Sequence, residues 1–149
     1  MKTLNRLLLI FIGAFVLNLI WEHLHSVLYV SYQGGVITNT ILIRAAAFDA
    51  AVIAFFSFPF FRFEPLWRQR WLLYVALAVF AVILEWWALA TGRWVYADIM
   101  PLVPILHVGL TPAIQLGLLG YVAVRIANNF HIKKTGPRES VSLEQYEEL

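Results

Sequence analysis

Cysteine is absent from the 149 residues, which excludes disulfides, thiolate metal sites and a cysteine nucleophile, and leaves no redox compartment to read from thiols. Charge is scarce as well. Only 13% of residues are Asp, Glu, Lys or Arg against 61% apolar, too few charged groups to clothe a soluble domain. The 11 basic residues slightly outnumber the 9 acidic ones, but they stand scattered at the ends of apolar stretches and form no basic face. No nucleic-acid partner is therefore expected. There is no phosphate-binding loop, and Ser26, Ser31 and Ser57 have no base in an arrangement that would activate them.

What the chain does have is length in its apolar runs. A helix rises about 1.5 Å per residue and the bilayer hydrocarbon is about 30 Å thick, so a span needs roughly 20 apolar residues. Residues 7–29, 38–61, 71–91 and 105–127 qualify, joined by short connections carrying turn signals such as Gly34-Gly35, Glu64-Pro65 and Gly92. The expected fold is all-α: an integral membrane bundle of four transmembrane helices over residues 1–127, followed by a polar tail over 128–149. The first run follows Lys2 and Arg6 as a signal peptide would, but it ends in bulky "IWEHLH" without a small-x-small cleavage site, so it reads as a retained helix. Basic residues gather before the first run, in the second connection (Arg62, Arg68, Arg70) and after the last run (Arg125, Lys133, Lys134, Arg138). The two other connections hold only Arg93. Both termini are expected in the cytoplasm, in a bacterial-type inner (plasma) membrane.

Polar residues interrupt these runs in a pattern. Asn18, Glu22, His25 and Tyr29 are spaced to fall on one helical face, while His23 points about 100° away. Glu85 closes a row of small residues, Ala78 and Ala81, on the third run, and the fourth carries His107, Thr111 and Gln115. An ionised side chain at the bilayer centre costs about 2.5 to 3.5 kcal/mol on insertion scales. Single Asn, Thr or Gln residues serve as interhelical glue, but Glu22, Asp49 and Glu85 in one small bundle ask for another explanation. The expected site lies in the outer half of the bilayer. Its acid-base groups are Glu22, Glu85, His25 and His107, and its ligand contacts are Asn18, Asp49, Arg93, Trp94, Tyr96 and Gln115.

Two chemistries suit this set. Glu22 and His25 form an E-x-x-H pair of the kind that feeds a metal in di-iron bundles, but no second pair occurs. No cofactor is expected, with a single metal ion on Glu22, His25, Glu85 and His107 as the alternative. Acid-base work needs less: a carboxyl shielded from water can hold a proton and a histidine can pass it outward. Above the carboxyls runs "TGRWVYADIMPLVP", whose prolines would fix it as a lid rather than an interfacial aromatic belt.

The order of an intramembrane acid, then "TGRWVY", then "MPLVPILHVGLTP" resembles the lycopene-cyclase type of small membrane proteins of carotenoid synthesis, over residues 85–112. The resemblance implies a few short helices and an acid among Glu22, Glu85 and Asp98 that protonates an isoprenoid double bond, making the protein a membrane isomerase or cyclase. Where that family carries paired acids after the proline, this chain has "PLVPIL". Two readings stand side by side. One is an enzyme on a lipid-soluble, isoprenoid-like substrate. The other is a non-enzymatic bundle: a ligand-binding or assembly subunit, or a proton or cation pathway. Its partners would be membrane lipid or another hydrophobic small molecule, with a homodimer or larger membrane complex left open.

Overall fold

The computed structural model describes residues 2–135. It is mostly helical. Helix α1 spans Lys2–His25, α2 Asn39–Arg62, α4 Trp71–Ala90 and α5 Leu110–Thr135, and a short α3, Glu64–Arg68, fills the second connection behind Pro65. Each of the four long helices contains a stretch apolar and long enough to cross a membrane. The second and third long helices match the expected spans to within one residue, whereas the first starts five residues earlier and ends four residues earlier than expected. The fourth begins at Leu110, five residues later than expected, and continues as helix to Thr135, so the start of the expected tail is helical; residues 136–149 lie outside the described residues.

Local chemistry sets these boundaries. Thr38 caps α2, its hydroxyl accepting from the Ile41 amide at 3.4 Å. Helix α4 ends in a Schellman turn: Gly92, at φ +64°, donates to the Leu89 carbonyl at 3.1 Å and Arg93 donates to the Ala88 carbonyl at 2.8 Å. That left-handed glycine throws the chain back across the bundle end as β2, Trp94–Tyr96, which pairs antiparallel with β1, Tyr29–Tyr32. A second small hairpin follows, β3 (Leu102–Val103) with β4 (Val108–Gly109). Neither sheet was expected: β2, β3 and most of β1 stand where the sequence suggested connections, and Tyr29 and β4 where it suggested helix. For the first, the cause is the β-branched and aromatic content of "YVSY" and "WVY".

Around the bundle, α1 packs along α2 and α5, and α4 packs along α5. Small residues let α4 and α5 approach closely: a Cβ on Gly117 would come 3.0 Å from the Tyr74 carbonyl oxygen, and one on Gly120 would strike Leu77 Cδ1 at 2.7 Å. Ile10, Ala14, Ile53, Leu73, Leu77 and Val124 fill the core between the helices. Outward, Phe55 is 76% exposed, and Leu8, Ile20, Trp71 and Val79 are also exposed. Such an apolar exterior suits hydrocarbon, not water. Arg6, Arg62, Arg68, Arg70 and Arg125 stand at one end, where Arg6 lies over the Phe61 ring at 5.8 Å and Arg125 over Tyr121, whose ring meets Tyr74 of the α4 start at 5.3 Å.

Candidate functional site

At the opposite end the helices part. Helices α2 and α4 touch over only a short stretch, closed by Phe56 against Phe80 with ring centroids 5.3 Å apart. Above that contact lies a cavity of about 720 Å³, walled on one side by Ala45, Phe48 and Asp49 of α2 and on the other by Ala81, Leu84 and Glu85 of α4. Its back is α1 and α5, through Glu22, His25 and Gln115, and its roof is the β1–β2 pair, through Tyr29, Tyr32 and Trp94. Arg44 and Arg93 also line it.

A first polar knot sits at the back wall. Gln115 Nε2 lies 2.7 Å from Glu22 Oε1, 2.8 Å from Asp49 Oδ2 and 3.0 Å from Asn18 Oδ1. One amide thus ties α1, α2 and α5 together, and all four residues are buried, Asn18 completely. Asn18 is oriented by its own amide, which donates to the Ala14 carbonyl at 2.8 Å. The local cause is spacing: Ala14, Asn18 and Glu22 recur every four residues along one face of α1.

A second knot hangs from the roof. Tyr96 donates its hydroxyl hydrogen to Glu85 Oε1 at 2.5 Å while accepting the Gly109 amide at 2.8 Å, and Tyr29 donates to the same carboxyl oxygen at 3.4 Å. Burial and the bond to Glu85 push the Tyr96 hydroxyl above its ordinary range, so it stays a neutral phenol and a donor. Gly109 fits because it has no side chain: a Cβ there would meet Met100 Sδ at 2.9 Å. Arg93 is fastened beside this knot, its guanidinium 4.4 Å from the Trp87 ring centroid and its Nη1 donating to the Tyr32 hydroxyl at 3.3 Å. His25 hydrogen-bonds through Nδ1 to the Trp21 carbonyl at 2.9 Å. A carbonyl can only accept, so Nδ1 carries the hydrogen, and Nε2 of this buried ring has no hydrogen-bond partner among the described residues.

The structure brings together most of the residues that the sequence singled out. Glu22, His25, Asp49, Glu85, Arg93, Trp94 and Gln115 line the cavity, Asn18 joins it through the Gln115 amide, Tyr96 bonds the Glu85 carboxyl, and His23 is exposed outside it. Two placements differ from expectation. Tyr29 is not on the helical face of α1, which ends at His25, but opens β1 and still reaches Glu85. His107 is not on the fourth helix. A helix begun at 105 would hold Pro112 in its interior, without its N–H and against the Val108 carbonyl, whereas a start at Leu110 puts Pro112 in the tolerant first turn; His107, at φ +54°, sits in the exposed turn of the β3–β4 hairpin, outside the cavity lining. Asp98 is likewise exposed. With His107 elsewhere, the four-residue metal set does not assemble, and among the described residues no three His, Asp or Glu side chains converge as metal ligands.

Sequence reasoning missed Tyr32, Trp87 and the Gly109 amide. The first belongs to "YVSY", a strand signal shorter than the periodicity window that finds helices; the amide carries no signal at all. Comparison with protein-family models, curated proteins and solved structures finds no match.

Proposed function

We propose that this is a small integral membrane protein, with both termini in the cytoplasm of a bacterial-type plasma membrane, whose cavity takes a lipid-soluble, isoprenoid-like molecule and performs acid-base chemistry on it. The observation that carries this reading is the parting of α2 and α4: a largely apolar cavity between two helices, with the carboxyls of Glu22, Asp49 and Glu85 on its back and side walls and aromatic rings at its roof. A hydrocarbon entering from the bilayer would leave one apolar environment for another, and only its inner end would meet polar groups.

The chemistry balances without an oxidant. A carboxyl O–H gives its proton to one carbon of a double bond, leaving a cation on the neighbouring carbon beside the Tyr29, Tyr32 and Trp94 rings. A carboxylate then takes a proton from an adjacent carbon, before or after ring closure, and the product has the composition of the substrate. His25, with Nε2 free, returns the proton between the carboxyls or exchanges it with the outer surface. Such a reaction is that of an isomerase or cyclase, the activity which the resemblance of "TGRWVY" and "MPLVP" to the lycopene-cyclase type suggests.

The tie of three helices through Gln115 favours a second reading, because a non-enzymatic binding or assembly subunit would need that tie equally. Extraction and mass spectrometry of the protein purified in native lipid separate the two from a purely structural role. A stoichiometric prenyl-type or other long-chain lipid, displaced in a folded Ala45→Trp variant that fills the cavity, supports ligand binding. Its conversion by the wild type but not by Glu85→Gln supports the enzyme, and absence of any retained lipid overturns both.

A further inference from the structure

We infer that Glu22 and Asp49 form a carboxyl pair that shares one proton on the Gln115 amide and is reached from the lipid through the parting of α2 and α4. Resting on the acid-base reading above, the pair is then the acid of the site and Glu85 its base.

Donor counting leads there. The Gln115 amide nitrogen has two hydrogens and faces three oxygens at 2.7, 2.8 and 3.0 Å. Asn18 cannot relieve the shortage by turning round, because its own nitrogen is committed to the Ala14 carbonyl at 2.8 Å. Turning the Gln115 amide would put its oxygen against the same two carboxyls, and that arrangement needs more protons, not fewer. Two bare carboxylates on one nitrogen stand within two hydrogen-bond lengths of each other, in a wall with little to screen them. One proton on the pair removes a full negative charge and one claim on the amide.

The surroundings agree on every side. Helix α1 brings Asn18 and His25, α2 brings Arg44 of the cavity lining, α4 brings Glu85 and α5 brings Gln115. Among the described residues no lysine or arginine hydrogen-bonds Glu22 or Asp49. Glu85 differs in kind. Because Tyr96 already accepts the Gly109 amide, its hydroxyl hydrogen must go to Glu85 Oε1, where the Tyr29 hydroxyl also points. Two donors on one oxygen serve a carboxylate. The unpartnered Nε2 of His25, a residue 7% exposed and in the cavity lining, marks the place where a ligand atom or a passing proton would be received.

A hydrophobic carbodiimide tests this directly in the full chain reconstituted in lipid vesicles. The reagent takes a carboxylic proton onto its nitrogen, the carboxyl oxygen bonds to its central carbon, and rearrangement leaves a stable acylurea with no atom lost. Peptide mass spectrometry at neutral pH is expected to find about one adduct per chain, on Glu22 or Asp49, with Glu85 unmodified and with no adduct on the pair from a water-soluble carbodiimide. Equal labelling of Glu85, or no labelling of the pair, overturns the inference. In Glu22→Gln the neighbouring charge is gone, so Asp49 labelling is expected to fall at least severalfold; undiminished labelling would show that burial alone holds the proton and would overturn the sharing. The readout is a covalent mass and needs no ligand or turnover, so it fails independently of the proposed function.

Discussion

Replacing Tyr96 by phenylalanine removes a single hydroxyl, and so does replacing Tyr29, yet the two deletions should differ sharply. Both hydroxyls point at Glu85 Oε1, Tyr96 from 2.5 Å and Tyr29 from 3.4 Å. Tyr96 also accepts the amide of buried Gly109 at 2.8 Å, so its loss strands a donor as well as a carboxyl oxygen. A hydrogen bond to a charged group contributes about 1.5–3 kcal/mol and an orphaned buried amide costs about 1–3 kcal/mol. Hydrogen bonds between helices in membranes average nearer 0.6 kcal/mol, which pulls the sum down to about 2–4 kcal/mol for Tyr96→Phe. For Tyr29→Phe the long contact predicts less than about 1 kcal/mol. Reversible unfolding in mixed micelles measures both. Equal losses, or a Tyr96→Phe loss under about 0.5 kcal/mol, would refute the view that Tyr96 clasps the roof to α4.

Three further outcomes follow from the same geometry. Gly117→Ala should destabilise by about 1–3 kcal/mol, because its Cβ meets the Tyr74 carbonyl oxygen at 3.0 Å, whereas Gly13→Ala, with nothing within 4 Å, should be neutral or gain about 0.5–1 kcal/mol; thermal unfolding of the two single variants decides. Gln115→Leu strands the oxygens of Asn18, Glu22 and Asp49 and should cost about 2–4 kcal/mol, with Asn18→Leu adding little on top of it because both changes break one network. The raised Tyr96 hydroxyl keeps its proton in the folded state while an unfolded tyrosine loses it near pH 10, so stability from this group is fully present below about pH 10 and falls above it. Tyr96→Phe should flatten that alkaline decline in a pH series of unfolding midpoints.

Much of the architecture was legible because lipid imposes length. Four apolar runs of about 20 residues have few other solutions, and the face carrying Asn18, Glu22 and His25 follows from helical spacing alone. What lay out of reach was tertiary. Nothing in "PAIQLG" says that Gln115, rather than Thr111, would reach three helices at once; that depends on how far α5 is displaced along α1 and α2. The late start of α5 was partly readable, since Pro112 would fall in the interior of a helix begun at 105, but the turn at His107 depends on a left-handed backbone that few non-glycine residues adopt. The β1–β2 roof was missed because three- and four-residue strands carry too short an alternation to distinguish them from loop, and their pairing joins Tyr29 to Tyr96 across three intervening helices.

The central claim is that the space between α2 and α4 is a ligand site opening to lipid. A density map of the protein purified with its native lipid tests it most directly. The account predicts an elongated apolar molecule lying between Phe48 and Leu84, with its inner end beside Glu22 and Glu85. Helices α2 and α4 sealed against each other along their outer halves, with no such density, would contradict it.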